Sequence, residues 1–160
     1  MKKSVLYLLI VSVVLSVFSV PVLAFTETED AVISSREKHM LPDGSYIVEE
    51  ITEMVVKNRA ISVQKSGSKR KSFYSSDNVL QWTFTLQADF TVKQNISATC
   101  TNTSYTYSIE ESGWALYSAS THKSGNKAFG DASFIYKAGG NSNIKDCSVT
   151  LTCDAYGNLS

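Results

Sequence analysis

The stretch Trp82, Thr83, Phe84, Thr85, Leu86, Gln87, Ala88, Asp89, Phe90, Thr91, Val92 alternates without a break, with apolar residues at every even position and polar residues at every odd one. Successive side chains of an extended strand point to opposite faces, so this period of two defines a strand with one dry and one wet side. A helix, with its period of 3.6, would spread the same residues around its whole circumference. One face of this strand must therefore be buried, and the rest of the chain has to supply what covers it.

Downstream, the same alternation recurs in short runs. After a turn at Lys93, Gln94 and Asn95, Ile96, Ala98 and Cys100 share a face, whereas from Tyr105 the apolar positions are odd (Tyr105, Tyr107, Ile109). A straight strand cannot change faces, so the switch between Thr101 and Ser104 predicts a bulge or a turn. Further turn signals at Glu110, Glu111, Ser112, Gly113, at His122, Lys123, Ser124, Gly125, Asn126, and at Gly139, Gly140, Asn141 separate three more segments. The first carries Trp114 and Leu116. The second carries Ala128, Gly130, Ala132, Phe134 and Tyr136, and the last Cys147, Val149, Leu151 and Cys153. Together these predict an all-β chain folded as an antiparallel β-sandwich or barrel.

Upstream, Leu41, Pro42, Asp43, Gly44 is a turn signal, and residues 46–57 are read as a strand although Ile47, Ile51, Met54 and Val55 also fit one helical face. Residues 59–64 and Phe73 with Tyr74 are read as the arms of a hairpin whose tip is residues 65–71, broken by Ser66, Gly67, Ser68. Residues 25–40 have little apolar content and no period, and are expected to form a mobile leader to the domain, a short helix being the alternative.

The chain opens with Lys2 and Lys3, an apolar block over residues 5–20, Pro21, and then Val22, Leu23, Ala24. That is the charged, apolar, small-residue order of a secretory signal peptide, with cleavage expected after Ala24. An uncleaved anchor is the competing reading, since residues 5–24 just reach across a bilayer core of roughly 30 Å. Pro21 and the small-residue end favour cleavage. The expected organisation is a signal peptide over 1–24, the leader over 25–40 and a single β-sandwich domain over 41–160 in a secreted, extracellular protein with no membrane contact after cleavage. Without residues 1–24 the chain has 13 basic against 15 acidic residues. A net charge near −2 offers no global attraction to nucleic acid or to an anionic membrane.

Export makes the three cysteines informative, because disulfides persist outside the cytosol. Cys147 and Cys153 lie six residues apart on one strand face, about 20 Å when extended. Bonded cysteines need Cα atoms roughly 4.4–6.8 Å apart. Cys100 therefore pairs with one of them or with neither. Cys153 is the favoured partner, since it and Cys100 each continue an apolar face. A bond closing 54 residues would contribute about 4 kcal/mol by the chain-entropy estimate. Cys147 is then a buried thiol or the site of a bond to another chain, and neighbouring Asp146 argues against an activated thiolate.

The turn Leu41, Pro42, Asp43, Gly44, Ser45, Tyr46, the Ser66, Gly67, Ser68, Lys69 run, the strand from Trp82 to Phe90, Ala98, Thr99, Cys100, Thr101, the Lys123, Ser124, Gly125, Asn126 turn and the closing Val149, Thr150, Leu151, Thr152, Cys153 together resemble a family of small exported proteins of Gram-positive, clostridia-like bacteria. The resemblance covers most of the mature chain and implies that the cysteines corresponding to Cys100 and Cys153 form the recurring pair, with Cys147 a departure. It carries over no catalytic residue. An immunoglobulin-like architecture also fits the spacing from Cys100 to Trp114. However, only seven residues follow Cys153, and Leu151 stands where the corner Tyr of that fold belongs.

Chemistry-bearing patterns are sparse. His39 and His122 lie in polar surroundings, and no nucleophile elbow, zinc pair, Cys-x-x-Cys or phosphate-binding Gly loop is present. No cofactor is indicated. The aromatics Tyr105, Tyr107, Trp114 and Tyr117, with Tyr136, could offer flat faces to sugar rings or could be cross-strand packing. Lys65, Lys69, Arg70 and Lys71 form a basic patch that could grip an anionic wall polymer or nucleic acid, or could simply solubilise a hairpin tip. Glu49, Glu50 and Glu53 read as a solvated face rather than an ion site. Asp89 and Asp131, on wet faces, are the only carboxylates to weigh as a glycosidase pair. The expected function is a non-enzymatic extracellular or cell-envelope interaction module whose partner is a cell-wall polymer, a glycan or a protein. A released effector or toxin-like protein and a small glycan-acting hydrolase are the alternatives.

Overall fold

The computed structural model describes residues 31–54, 62–138 and 141–160. The described residues form eight strands and no helix: β1 (Ala31–Met40), β2 (Tyr46–Met54), β3 (Ser62–Tyr74), β4 (Leu80–Lys93), β5 (Ser97–Ile109), β6 (Trp114–Ser124), β7 (Lys127–Ala138) and β8 (Asn141–Thr152). They make two antiparallel sheets, β1-β2-β3-β4-β5 and β6-β7-β8. Every neighbour in a sheet is also a neighbour in sequence, so the chain is an up-and-down meander that folds over once, after β5. This is the sandwich expected, but not the immunoglobulin topology, which requires strands that return by long connections.

β4 is the spine of the core. Trp82, Phe84, Leu86, Ala88, Phe90 and Val92 are all buried, and the small sheet answers with Ala128, Ala132, Phe134, Cys147, Val149 and Leu151. Trp82 stacks on Phe134 with ring centroids 4.1 Å apart. The small residues at the start of the β7 face have a reason: a Cβ on Gly130 would lie 3.0 Å from the Phe84 ring and 3.2 Å from Leu86, so the two sheets close tightly there only without a side chain. The change of parity in β5 is a bulge. Asp89 pairs with Asn102 and Phe90 with Cys100, which leaves Thr101 without a partner in the ladder. Ile96, grouped by parity with Ala98 and Cys100, instead sits in the β4–β5 turn and is 77% exposed. The turn at Leu41, Pro42, Asp43, Gly44 forms as read, with Gly44 N–H donating to Leu41 O at 3.1 Å and Gly44 at φ 81°.

Two expectations fail for one physical reason. Residues 31–40 are not an unstructured leader but the edge strand β1, so the described fold begins ten residues before position 41. Its polar composition suits an edge. Arg36 reaches Glu50 at 3.3 Å, and the Lys38 ammonium lies 3.6 Å from the Tyr46 ring centre. Residues 65–71 are not a hairpin tip but the middle of β3, and residues 66–71 each face a β2 partner: Lys71 opposite Glu49, Arg70 opposite Glu50, Lys69 opposite Ile51. Charges that look like solvated loop in one dimension become complementary rungs once two strands align. The Ser66, Gly67, Ser68 break is also explained. The side chain of Leu159, from the segment after β8, fills the space over Gly67, where a Cβ would lie 2.2 Å from its Cδ1. Residues 59–61 of the supposed hairpin, and residues 1–30, lie outside the described residues.

Candidate binding cleft

The two ends of the sandwich are built differently. At one end the β6–β7 turn is gripped by main-chain bonds from both sheets: Cys100 N–H donates to Gly125 O at 2.8 Å and Cys153 N–H to Asn126 O at 3.0 Å, while the Asn126 amide donates to Cys153 O at 2.7 Å. The segment after β8 folds back, exchanging bonds between Thr152 and Ser160 at 2.8 and 3.0 Å and accepting from Asn95 N–H at Ala155 O, 2.9 Å. Asp154 organises that return by accepting from Tyr156 N–H at 2.8 Å and Asn158 N–H at 2.9 Å. Those bonds, the Asn158 ones foremost, hold its carboxyl below the usual range.

At the other end lies a cleft of about 270 Å³ between the sheets. Asp43 and Ser45 come to it from the β1–β2 turn, Phe73 from the end of β3, Gln81 from the start of β4, Trp114 from the start of β6, Tyr136 from the end of β7, and Asn143 and Lys145 from the start of β8. Its walls are aromatic. Trp114 and Tyr136 are cross-strand partners with ring centres 5.2 Å apart at 49°, and Phe73 meets Trp114 edge-on at 5.7 Å. Gly113 permits this corner, since a Cβ there would fall 2.8 Å from the Tyr136 ring and its φ of 97° favours glycine.

The cleft's polar groups are fixed in part by each other. Trp114 Nε1 donates to Gln81 Oε1 at 3.0 Å, and Gln81 Nε2 donates in turn to Val79 O at 3.0 Å, which locks the amide and orients the indole. Across the opening, Lys145 Nζ stands 3.5 Å from Asp43 Oδ2 and 5.7 Å from the Phe73 ring centre. Asp43 also accepts from the Ser45 hydroxyl and, at 3.0 Å, from Ser45 N–H. Those Ser45 bonds, with the Lys145 charge behind them, lower its carboxyl from the ordinary range. The cleft thus presents a carboxylate, an ammonium and an amide around the half-buried rings of Trp114 and Tyr136, with Phe73 buried behind them.

Of the four aromatics expected to form a binding face, Trp114 lines this cleft, joined by Tyr136, the fifth aromatic singled out from sequence, and the other three do not. Tyr105 and Tyr107 point inward from β5 at the sheet margin, 37% and 48% exposed, the first stacked on Phe84 and the second edge-on to Phe134. Tyr117 is the unpaired residue of a bulge in β6 and is 67% exposed. The four do not form one surface. Asp43, Gln81, Asn143 and Lys145 were not anticipated. The signal was present for two of them: Asn143 and Lys145 continue the odd, inward parity of Cys147, Val149 and Leu151, and polar residues at inward positions near a strand end mark a cavity rather than a core.

The basic patch divides by parity. Lys65, Lys69 and Lys71 lie on the inner face of the large sheet and Arg70 on the outer, and each has a carboxylate. Lys65 meets Glu53 at 2.6 Å, Lys71 meets Glu49 at 2.8 Å with Lys69 at 3.6 Å, and Arg70 meets Glu50, which Arg36 also contacts. Burial works against the Glu49 charge, but its bond to Lys71 and the charges of Lys71, Lys69 and His39 outweigh burial and lower its carboxyl overall. The four cations share three carboxylates, Glu49, Glu50 and Glu53, so most of the patch's charge is already engaged within the sheet. Asp89 and Asp131 point outward from different sheets, held by Ser66 at 2.7 Å and Ser148 at 2.8 Å. With stacked sheets roughly 10 Å apart between them, they cannot flank one glycosidic bond at the roughly 5–9.5 Å that such chemistry needs.

All three cysteines are buried thiols, and no disulfide joins them. Cys147, opposite Ala132 in the core, is 3% exposed, and burial foremost pushes its thiol up to about 12. Glu49 and Asp131 add to that rise, whereas Asp146 is turned to Ser133. Cys153 is raised to about 11 by burial first and then by Asp154, with Cys100 also contributing; Cys100 itself is raised by burial. Cys100 and Cys153 both lie at the end opposite the cleft, their N–H groups bonded to consecutive residues of one turn, Gly125 and Asn126. The chain matches no family model, no curated protein and no solved structure.

Proposed function

We propose that the protein is an exported, non-enzymatic interaction module of the cell envelope or its surroundings, which holds its partner in the cleft between Asp43, Trp114, Tyr136 and Lys145. One observation supports this above the rest: three aromatic rings meet a carboxylate, an ammonium and an amide in an opening shared by both sheets. Concave sites lined by aromatics with a few convergent polar groups are where proteins hold small ligands. The sequence of the first 24 residues supplies the export half of the reading. Outside the cytosol, Cys100 and Cys153 pass two protons and two electrons to a disulfide-bearing oxidant, which leaves as its dithiol, and the disulfide they form fixes the end remote from the cleft.

The test is expression of the full chain in an export-competent Gram-positive host. The expected result is a product beginning at Phe25 in the medium or on the envelope, sedimenting with washed envelope material. A product that keeps its first 24 residues and stays in the cytosol would overturn the reading. Intact-mass analysis after thiol labelling in denaturant should find one free thiol per exported chain, and three would remove the disulfide.

A further inference from the structure

We infer that the cleft takes a single uncharged pyranose ring, the exposed unit of a neutral polysaccharide. This rests on the reading of the cleft as the binding site and names its ligand class. Size comes first. At about 270 Å³ the opening is smaller than the roughly 300–1,000 Å³ that encloses drug-sized ligands, and suits one ring rather than an extended segment. Shape follows: Trp114 and Tyr136, inclined at 49°, form two walls of a corner. A pyranose has an apolar C–H face that lies on an aromatic ring and a rim of hydroxyls that point away from it.

Charge then narrows the class. Asp43 and Lys145 stand 3.5 Å apart, so the site's formal charge cancels and an anionic sugar finds no net attraction. A hydroxyl both donates and accepts, and vicinal hydroxyls can donate to the Asp43 carboxylate while accepting from the Lys145 ammonium. Asp43 keeps its charge for that role because Ser45 donates to it from both N–H and O–H. Asn143, exposed at the rim, brings an amide that can complete the set.

The alternative occupant of an aromatic cleft is a proline-rich peptide, which offers carbonyls to ring N–H donors. Here the indole N–H is committed to Gln81 at 3.0 Å, and Gln81 is itself anchored to Val79. Trp114 therefore has its ring face to give and not its donor, which fits a sugar and not a peptide carbonyl.

Calorimetric titration of the mature chain with cellotetraose, tetra-N-acetylchitotetraose, trigalacturonate and a ten-residue polyproline peptide tests this directly. A neutral oligosaccharide should bind with a dissociation constant of about 1 mM or tighter, with little dependence on salt. Lys145→Met and Asn143→Ala, both at the rim, should keep the melting temperature and each weaken binding about tenfold by removing one hydrogen-bonding group. The ligand class is overturned if neither neutral oligosaccharide gives heat, if only trigalacturonate binds and salt abolishes it, if only the peptide binds, or if the two variants bind as wild type. Export is scored separately by fractionation. An exported chain that binds no neutral sugar loses this inference alone, whereas a cytosolic one loses the envelope reading whatever it binds.

Discussion

The cysteine end and the cleft end of the sandwich use the same strands and hold them together by different means. At the cysteine end the sheets are joined by main-chain bonds, from Cys100 to Gly125 and from Asn95 to Ala155, and by the side chain of Leu159 seated on Gly67. At the cleft end the chain itself crosses between the sheets, from Ile109 to Trp114, with Glu110 N–H on Gln81 O and Lys137 N–H on Gly113 O, and beside that crossing the joins are side chains: Trp114 to Gln81, and Lys145 to Asp43 across 3.5 Å. A main-chain bond is held by the ladder behind it, whereas an exposed ion pair contributes little and can exchange its partner for a ligand. Such a fold leaves room for a site beside its single crossover, where side chains rather than main-chain bonds span the rest of the gap between the sheets.

Breaking that contrast should have graded effects. The largest is at the cysteine end, where Cys100→Ser in the oxidised protein removes the constraint on a 54-residue loop, about 4 kcal/mol by urea denaturation, with cleft binding unchanged. Gly67→Ala should cost about 1–3 kcal/mol, because the new methyl meets the Leu159 side chain and the carbonyl of Thr52. Increased exchange of the Ser160 amide would show that the returning segment had lifted. Asn126→Ala should cost about 1–2 kcal/mol by leaving Cys153 O without its amide donor.

A smaller effect separates the redox states. In the reduced protein the Cys153 thiol titrates at about 11, against 9.0 when not buried. The unfolded chain therefore loses that proton first, and stability should fall as pH rises from about 9 toward 11. Below that window the thiol has no effect. The slope should shrink on oxidation, leaving the part due to Cys147, and an unchanged slope would place Cys153 outside the bond. Smallest of all, Lys145→Met should move stability by no more than about 0.5 kcal/mol, although it reshapes the cleft.

The elements that were legible in the sequence are those whose pattern is local. β4, β7 and the second half of β8 each show a period of two against a continuous core, and the parity switch in β5 placed its bulge within the residues 101–104. β1 and the middle of β3 were not legible, because their reason for being strands is a partner: Arg70 is in place opposite Glu50, and Glu50 is 20 residues away from it. No window along one strand contains that information. The cleft was half visible. Trp114 and Tyr136 stood out by type, but the inward parity of Lys145 went unread, and Asp43 was concealed within a turn whose chemistry explains it without any ligand.

The two tryptophans provide the most direct measurement. Trp82 is 1% exposed in the core, while Trp114 lines the cleft, so their two indole N–H resonances report the interior and the site within one molecule. Titrating the mature chain with soluble glycan released from the envelope should move the Trp114 resonance progressively and leave that of Trp82 in place. A glycan that shifts neither resonance, or both together, would contradict the assignment of the cleft as the binding site.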